Sequence, residues 1–215
     1  MLSSFLYYII QGMSVTVTVT LVALPSGFVL GLALALINTY SGRWLKRLSA
    51  AYSLFMRGIP PIVLLFILYF ILSGNIVNLT PFWAGSISLG VVSSAYQMEI
   101  LRGALLSISG GQMTAARSIG LSRFQAIQHI ILPQALRIAI PPWSNEASIV
   151  LKDSSLVYAL GVTEILRRAQ QLSATTQQPM LAFGAAALIY FILVFTVNRG
   201  LDALANKSKL PSQAT

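Results

Sequence analysis

Residues 12–38 and 180–198 contain no charged side chain. A helix rises 1.5 Å per residue, so either stretch is long enough to cross a hydrocarbon core of roughly 30 Å. A helix also satisfies its backbone groups internally, which is what a segment inside lipid requires. These two runs point to an all-α membrane protein. The composition agrees: only 9% of residues are charged, against about 25% in a soluble domain.

Three further spans are expected between the two clear ones, at about 48–72, 82–107 and 130–152. Residues 1–215 would then form a single transmembrane domain of five helices, with spans at about 12–38, 48–72, 82–107, 130–152 and 180–198. Pro25 should bend the first span, and Gly27 with Gly31 forms a G-x-x-x-G pair suited to close helix packing within the chain. The second span is interrupted at Arg57-Gly58-Ile59-Pro60-Pro61. The apolar run after Gly58 is too short alone, so the residues before Arg57 must contribute. An uncharged turn is expected at 73–81. The third span carries Tyr96, Gln97, Glu99 and Arg102, the last two at the i,i+3 spacing of a helical ion pair. The fourth holds Arg137, Pro141, Pro142, Asn145 and Glu146 and is the weakest by hydropathy. A polar loop follows at about 153–178.

The net charge of +9 does not indicate a nucleic-acid partner, because the basic residues sit in short segments between spans and form no aromatic-basic stripe. Segments 43–47 and 102–137, together with the C-terminal end, hold ten of the 14 lysines and arginines. Their placement predicts an extracytoplasmic N-terminus and a cytoplasmic C-terminus. No Lys or Arg precedes residue 43, so the first apolar segment lacks the basic start of a signal peptide and should be retained. With no Cys, disulfides and thiolate metal sites are excluded.

The polar segment 111–128 reads as two short helices joined at Gly120, which can take the left-handed conformation that ends a helix. Ser122 and Gln125 have capping-box spacing, so a second helix should begin at Arg123. Ala115 and Ala116 leave a smooth face, and Arg117 and Arg123 offer charge to an acidic partner. Such an element could dock in a groove of another protein, or simply lie at the membrane surface.

The run Thr114-Ala115-Ala116-Arg117-Ser118-Ile119-Gly120, with Ile130, Leu132 and Pro133 beyond it, resembles the cytoplasmic "EAA" loop of ATP-binding-cassette importer permeases. Ala115, Ala116, Gly120, Ile130, Leu132 and Pro133 match in register, and Thr114 replaces the family Glu. Arg57-Gly58-Ile59-Pro60, the run from Ala95 to Gly103, and Leu151-Lys152-Asp153-Ser154-Ser155-Leu156 are similar to motifs of the polar amino acid (histidine, glutamine and arginine) permeases. The resemblance implies the type I importer transmembrane domain, with 111–128 as a cytoplasmic coupling helix in the bacterial inner membrane. It also implies two separate ATPase subunits carrying Mg-ATP, a second permease (identical or paralogous), an extracytoplasmic solute-binding protein and an amino acid substrate. Thr114, Ala115, Ala116, Arg117, Gly120 and Arg123 would be the coupling residues. Independently, the chain has no G-x-x-x-x-G-K-[ST] phosphate loop, so it is expected to be neither an ATPase nor any other enzyme, and to hold no cofactor.

For the substrate, Glu146 and Asp153 lie two helical turns apart and would share one face. They could hold an ammonium group or a cationic side chain, or pair within the protein, Glu146 with Arg57 for example. Tyr96 and Gln97 could supply neutral hydrogen bonds, and Lys152 and Ser154 could meet a carboxylate. His129 is the only histidine, so it has no second His at metal-ligand spacing. An ATP-independent channel or secondary carrier would also place acids in broken spans, and a purely structural subunit would not need Glu146.

Overall fold

The structure, a computed structural model, describes residues 2–71, 79–108 and 110–208. No strand occurs among them. The chain begins with α1 (Leu2–Ile10), which turns at Gln11-Gly12 into α2 (Met13–Tyr40). Next come α3 (Arg43–Gly58) and α4 (Pro61–Ile71), then α5 (Pro81–Ser107) and α6 (Gly110–Ser118). A short α7 (Arg123–Ala126) runs through a π-helical turn, Ile127–Ile131, into α8 (Leu132–Asp153). A 3-10 turn (Ser154–Leu160) leads to α9 (Ile165–Thr176) and the closing α10 (Pro179–Ser208). Most of the turn expected at 73–81, and the last residues of the basic tail, lie outside the described residues.

The expected second span is not one rod. Ile59 is extended, and Pro60 and Pro61 cannot donate to a continuing helix. Consequently α3 and α4 meet at 111°. The helix also starts earlier than expected: Arg43, Lys46 and Arg47 sit in the first turns of α3 rather than in a polar break.

Among the described residues, by length and composition, only the α1–α2 run and α10 qualify as spans alone, with the bent α3–α4 pair as a third. The reason α5 does not qualify is its position. It packs against α2, α3, α4 and α8, and buries Ser86, Ser88, Ser93, Ser94 and Gln97. Ser86 and Ser88 donate to the carbonyls of Phe82 and Ala84, each at 2.7 Å, so they cost little away from water. A helix that faces protein needs small, bonded side chains; one that faces lipid needs apolar bulk.

The G-x-x-x-G pair serves the α2–α5 contact. A β-carbon at Gly27 would lie 2.8 Å from the Gly90 carbonyl oxygen, and one at Gly31 would lie 2.9 Å from that of Ser94. Intrachain packing is therefore what these glycines do. Apolar clusters follow this seam: Ala35, Met98, Leu101, Leu105 and Ala135 at one end, and Val19, Ala23, Leu65, Leu89, Val150 and Val157 further along. A third cluster, with Ile9, Ile165, Ala185 and Ile189, joins α1, α9 and α10.

Candidate substrate cleft and coupling element

The kink between α3 and α4 brings Pro61 and Arg57 against the middle of α5, and α8 closes the other side. Two cavities of about 280 Å³ each result. Pro61, Ser93, Tyr96, Glu146 and Asp153 line the first; Arg57, Tyr96, Glu99, Asn145 and Glu146 line the second. Tyr96, Glu146 and Ile149 belong to both, so the two form one cleft. Its size suits a small ligand.

Glu146 is 4% exposed and accepts a hydrogen bond from Ser93 Oγ at 2.6 Å. Asp153 stands two turns along α8 on the same cavity wall, so the shared face expected from their spacing is present. Glu146 does not pair with Arg57. Instead Arg57 Nη2 lies 3.8 Å from Glu99, and Arg57 Nε donates to Ser53 Oγ at 3.1 Å, which in turn donates to Glu99 at 2.9 Å. Arg102 binds the other oxygen of Glu99 with both Nη2 (2.6 Å) and Nε (3.0 Å), as the i,i+3 spacing suggested.

The remaining candidates for substrate contact lie elsewhere. Gln97 is fully buried and engaged on every side: Nε2 donates to Leu24 O and Ser93 Oγ, and Oε1 accepts from Trp143 Nε1 at 2.8 Å. It ties α2, α5 and α8 together and supports Ser93 from behind. Ser154 is buried and donates to Leu151 O at 2.7 Å. Lys152 points to the opposite face of α8, toward Phe183 and Tyr190 of α10. A one-residue step on a helix turns the side chain by about 100°, which is why Lys152 and Asp153 part company.

Sequence reasoning noticed Arg57 and Glu99 but did not place them at the cleft. Nor did it find Glu164, which is fully buried. Its carboxylate caps α9 by accepting from Leu166 N (2.8 Å) and Arg167 N (2.6 Å), and accepts the Tyr190 hydroxyl at 2.7 Å. Burial pushes this carboxyl up from its ordinary range, against the pull of these hydrogen bonds. The neighbouring Gly12 admits no side chain, because a β-carbon there would lie 2.6 Å from the Glu164 carbonyl carbon.

On the far side, Gly120 has φ +88° and ends α6. Ser122 and Gln125 form both hydrogen bonds of the capping box, at 3.3 and 2.8 Å. Thr114, Ala115 and Arg117 are exposed, whereas Ala116 is buried against the body of the protein. Ile119 and Phe124, flanking the Gly120 turn, are 76% and 72% exposed. Arg123, itself exposed, reaches back to α2: it donates to Tyr40 O at 3.2 Å, in the last turn of that helix, and its guanidinium lies 5.6 Å from the Tyr40 ring centre. A cation at a helix C-terminus is favourable, so Arg123 fastens the element to the first long helix.

Residues 27–209 match the binding-protein-dependent transport system inner membrane components. This chain belongs to that family. It is 34% identical over 192 residues to the probable glutamine ABC transporter permease protein GlnM of Bacillus subtilis, covering 89% of each chain. It is 33% identical to the octopine transport system permease protein OccQ of Rhizobium meliloti, over 86% of this chain and 84% of that one. A crystal structure of an amino acid ABC transporter with histidines contains a chain that superposes with TM-score 0.85 at 30% identity, covering 95% and 96% of the two chains. An inward-facing MetNI methionine ABC transporter shares the fold at TM-score 0.84 and 20% identity. The all-α, type I importer transmembrane architecture is thus the fold of this chain, and its family role is that of a permease component, not an enzyme.

Proposed function

We propose that this chain is the permease subunit of an ATP-driven importer for polar amino acids bearing a cationic group. The acidic cleft carries the proposal: Glu146 and Asp153 face one cavity with a single serine hydroxyl bonded to Glu146. Buried acids left facing an open space in a membrane domain serve a ligand or an ion path. The relatives named for glutamine and octopine support an amino-acid-like substrate.

Segment 111–128 is the coupling element. Its exposed Ile119 and Phe124 around the rigid Gly120 turn suit insertion into a groove of an ATPase subunit, with Thr114, Ala115 and Arg117 on the same outer surface. Arg123 and the capping box transmit a push on that turn to α2 and, through the π-helical turn, to α8, which carries Glu146. Two ATPase subunits bearing Mg-ATP, a second permease and an extracytoplasmic solute-binding protein complete the assembly. The chain would lie in the bacterial inner membrane with its N-terminus outside and its C-terminus inside.

A Gly120→Trp substitution tests the coupling role in cells that co-express all subunits of the transporter. The expected result is membrane insertion at the wild-type level, with loss of both ATPase copurification and coupled uptake. Normal copurification together with normal uptake would refute the docking role.

A further inference from the structure

A larger cavity, of about 490 Å³, lies away from the cleft, between α2, α8 and α10. It shares no residue with either lobe of the cleft. Pro25 and Phe28 of α2, Ile140 and Trp143 of α8 and Leu201 of α10 line it, together with Arg137. The Trp143 indole N–H is taken by Gln97 Oε1 at 2.8 Å, and Phe28 stands edge-on to its ring with centres 6.2 Å apart. These contacts hold the floor of the groove in place. Arg137 is then the one side chain of the lining with polar capacity to spare.

Arg137 is exposed, and among the described residues no hydrogen bond or ion pair engages it. Glu146 lies nine residues further along α8, about two and a half turns, so the two charges stand on opposite faces of that helix. Asp202 follows the groove residue Leu201 on α10 but makes no ion pair with Arg137. A guanidinium in an apolar wall within a membrane is costly unless something pairs with it, and the chain supplies nothing. Arg137 belongs to the second turn of α8, close behind the Gly120 element, and its long stem lets the charged head reach the nearby membrane surface. From Arg137 to Trp143 the groove runs about 9 Å by helix rise. That is a little over half the depth of one leaflet of a core of roughly 30 Å.

We propose that this groove binds an anionic phospholipid of the cytoplasmic leaflet, with its phosphate at Arg137 and an acyl chain along Phe28, Ile140 and Trp143. Charge selects the lipid class. Anionic lipids populate that leaflet, and basic pockets between helices take their headgroups. The planar guanidinium fork matches two phosphate oxygens. A second copy of this chain fits less well, because it has only five acids. Glu99 is held by Arg102, Glu146 and Asp153 line the cleft, and Glu164 is fully buried, which leaves Asp202 alone to meet Arg137. The assignment rests on the proposed function only for which leaflet is meant. An occupant here packs behind the helix whose front face carries Glu146.

Lipids brominated on their acyl chains quench tryptophan at close range and so report on the groove directly. The sample is the whole transporter in phosphatidylcholine vesicles, with Trp44→Phe and Trp83→Phe leaving Trp143 as this chain's one tryptophan. The same complex with Trp143→Phe added gives the background from the other subunits. Brominated phosphatidylglycerol should quench Trp143 with about fivefold higher affinity than brominated phosphatidylcholine, the worth of one basic contact to an anionic surface. Arg137→Gln should bring the two lipids level without lowering the quenching by brominated phosphatidylcholine, which also shows that the variant is folded. Arg137→Lys should keep part of the preference. A variant that retains Trp44 instead, beside Arg43, Lys46 and Arg47, should not respond to Arg137→Gln; an equal response there would mean a general pull of basic protein on anionic lipid and would overturn the site. Equal wild-type quenching of Trp143 by the two lipids, or a preference that survives Arg137→Gln, would overturn it as well. So would the absence of quenching by either lipid, the outcome if a second permease covers the groove. The importer reading is tested separately, by uptake, and survives each of these failures.

Discussion

Glu164 and Glu146 are both buried carboxylates, and their surroundings assign them opposite tasks. Glu164 accepts two backbone amides and a tyrosine hydroxyl. It is fully buried among α9, α10 and the α1–α2 turn. Glu146 accepts one serine hydroxyl, and its remaining capacity faces a cavity that it shares with Asp153. A fully bonded buried acid holds elements together; a partly bonded one beside a void is poised for an incoming partner. Burial alone would not have separated them. Counting hydrogen bonds does.

The contrast can be broken by substitution. Glu164→Ala should have the largest effect on stability, about 3 kcal/mol, since it leaves two helix-end amides and the Tyr190 hydroxyl unpaired. Thermal unfolding of the purified complex would show it, and an unchanged transition would end the claim that Glu164 is structural. Glu146→Gln should leave that transition nearly unchanged, because an amide can still accept from Ser93. Its uptake, however, should weaken by about 2 kcal/mol, roughly 30-fold in apparent affinity for lysine. If instead it melts early and transports normally, the two glutamates have been assigned the wrong way round. Tyr190→Phe sharpens the first half with a smaller change. It removes one of the donors to Glu164 and should cost about 1 kcal/mol in unfolding, with substrate affinity unaltered.

How much of this was legible beforehand varied by element. The clearest segments, α2 and α10, were readable because lipid selects for uncharged bulk. The Gly120 turn and the Ser122–Gln125 cap were readable because both are local: one needs a left-handed residue, the other two side chains three positions apart. The Gly27–Gly31 seam was readable as a packing motif, though not its partner on α5. The bend at Ile59–Pro60 was visible as an interruption, but its angle depends on what α4 packs against. Within the candidate site, Glu146 and Asp153 followed from helical spacing on one element. Gln97, Lys152 and Ser154 looked equally suitable, yet they proved to be a buried tether, a residue on the far face and a side chain bonded to its own helix. Arg123 read as a charge for a partner, and its bond to Tyr40, 83 positions away in sequence, was not visible there.

The sequence by itself determined that this chain forms membrane helices and where a short polar element interrupts them. Each of these follows from local chemistry: hydropathy over one span, and turn and cap residues a few positions apart. Only the tertiary structure decided that the polar α5 is the central helix, that Arg57 and Glu146 line one cavity, and that Glu164 is bonded on all sides while Glu146 is not. Those depend on which helix faces cross, and the crossing is set by backbone approach at Gly27, Gly31 and Gly90 together with the break between α3 and α4. No single segment carries that information, because it arises only when several of them pack at once.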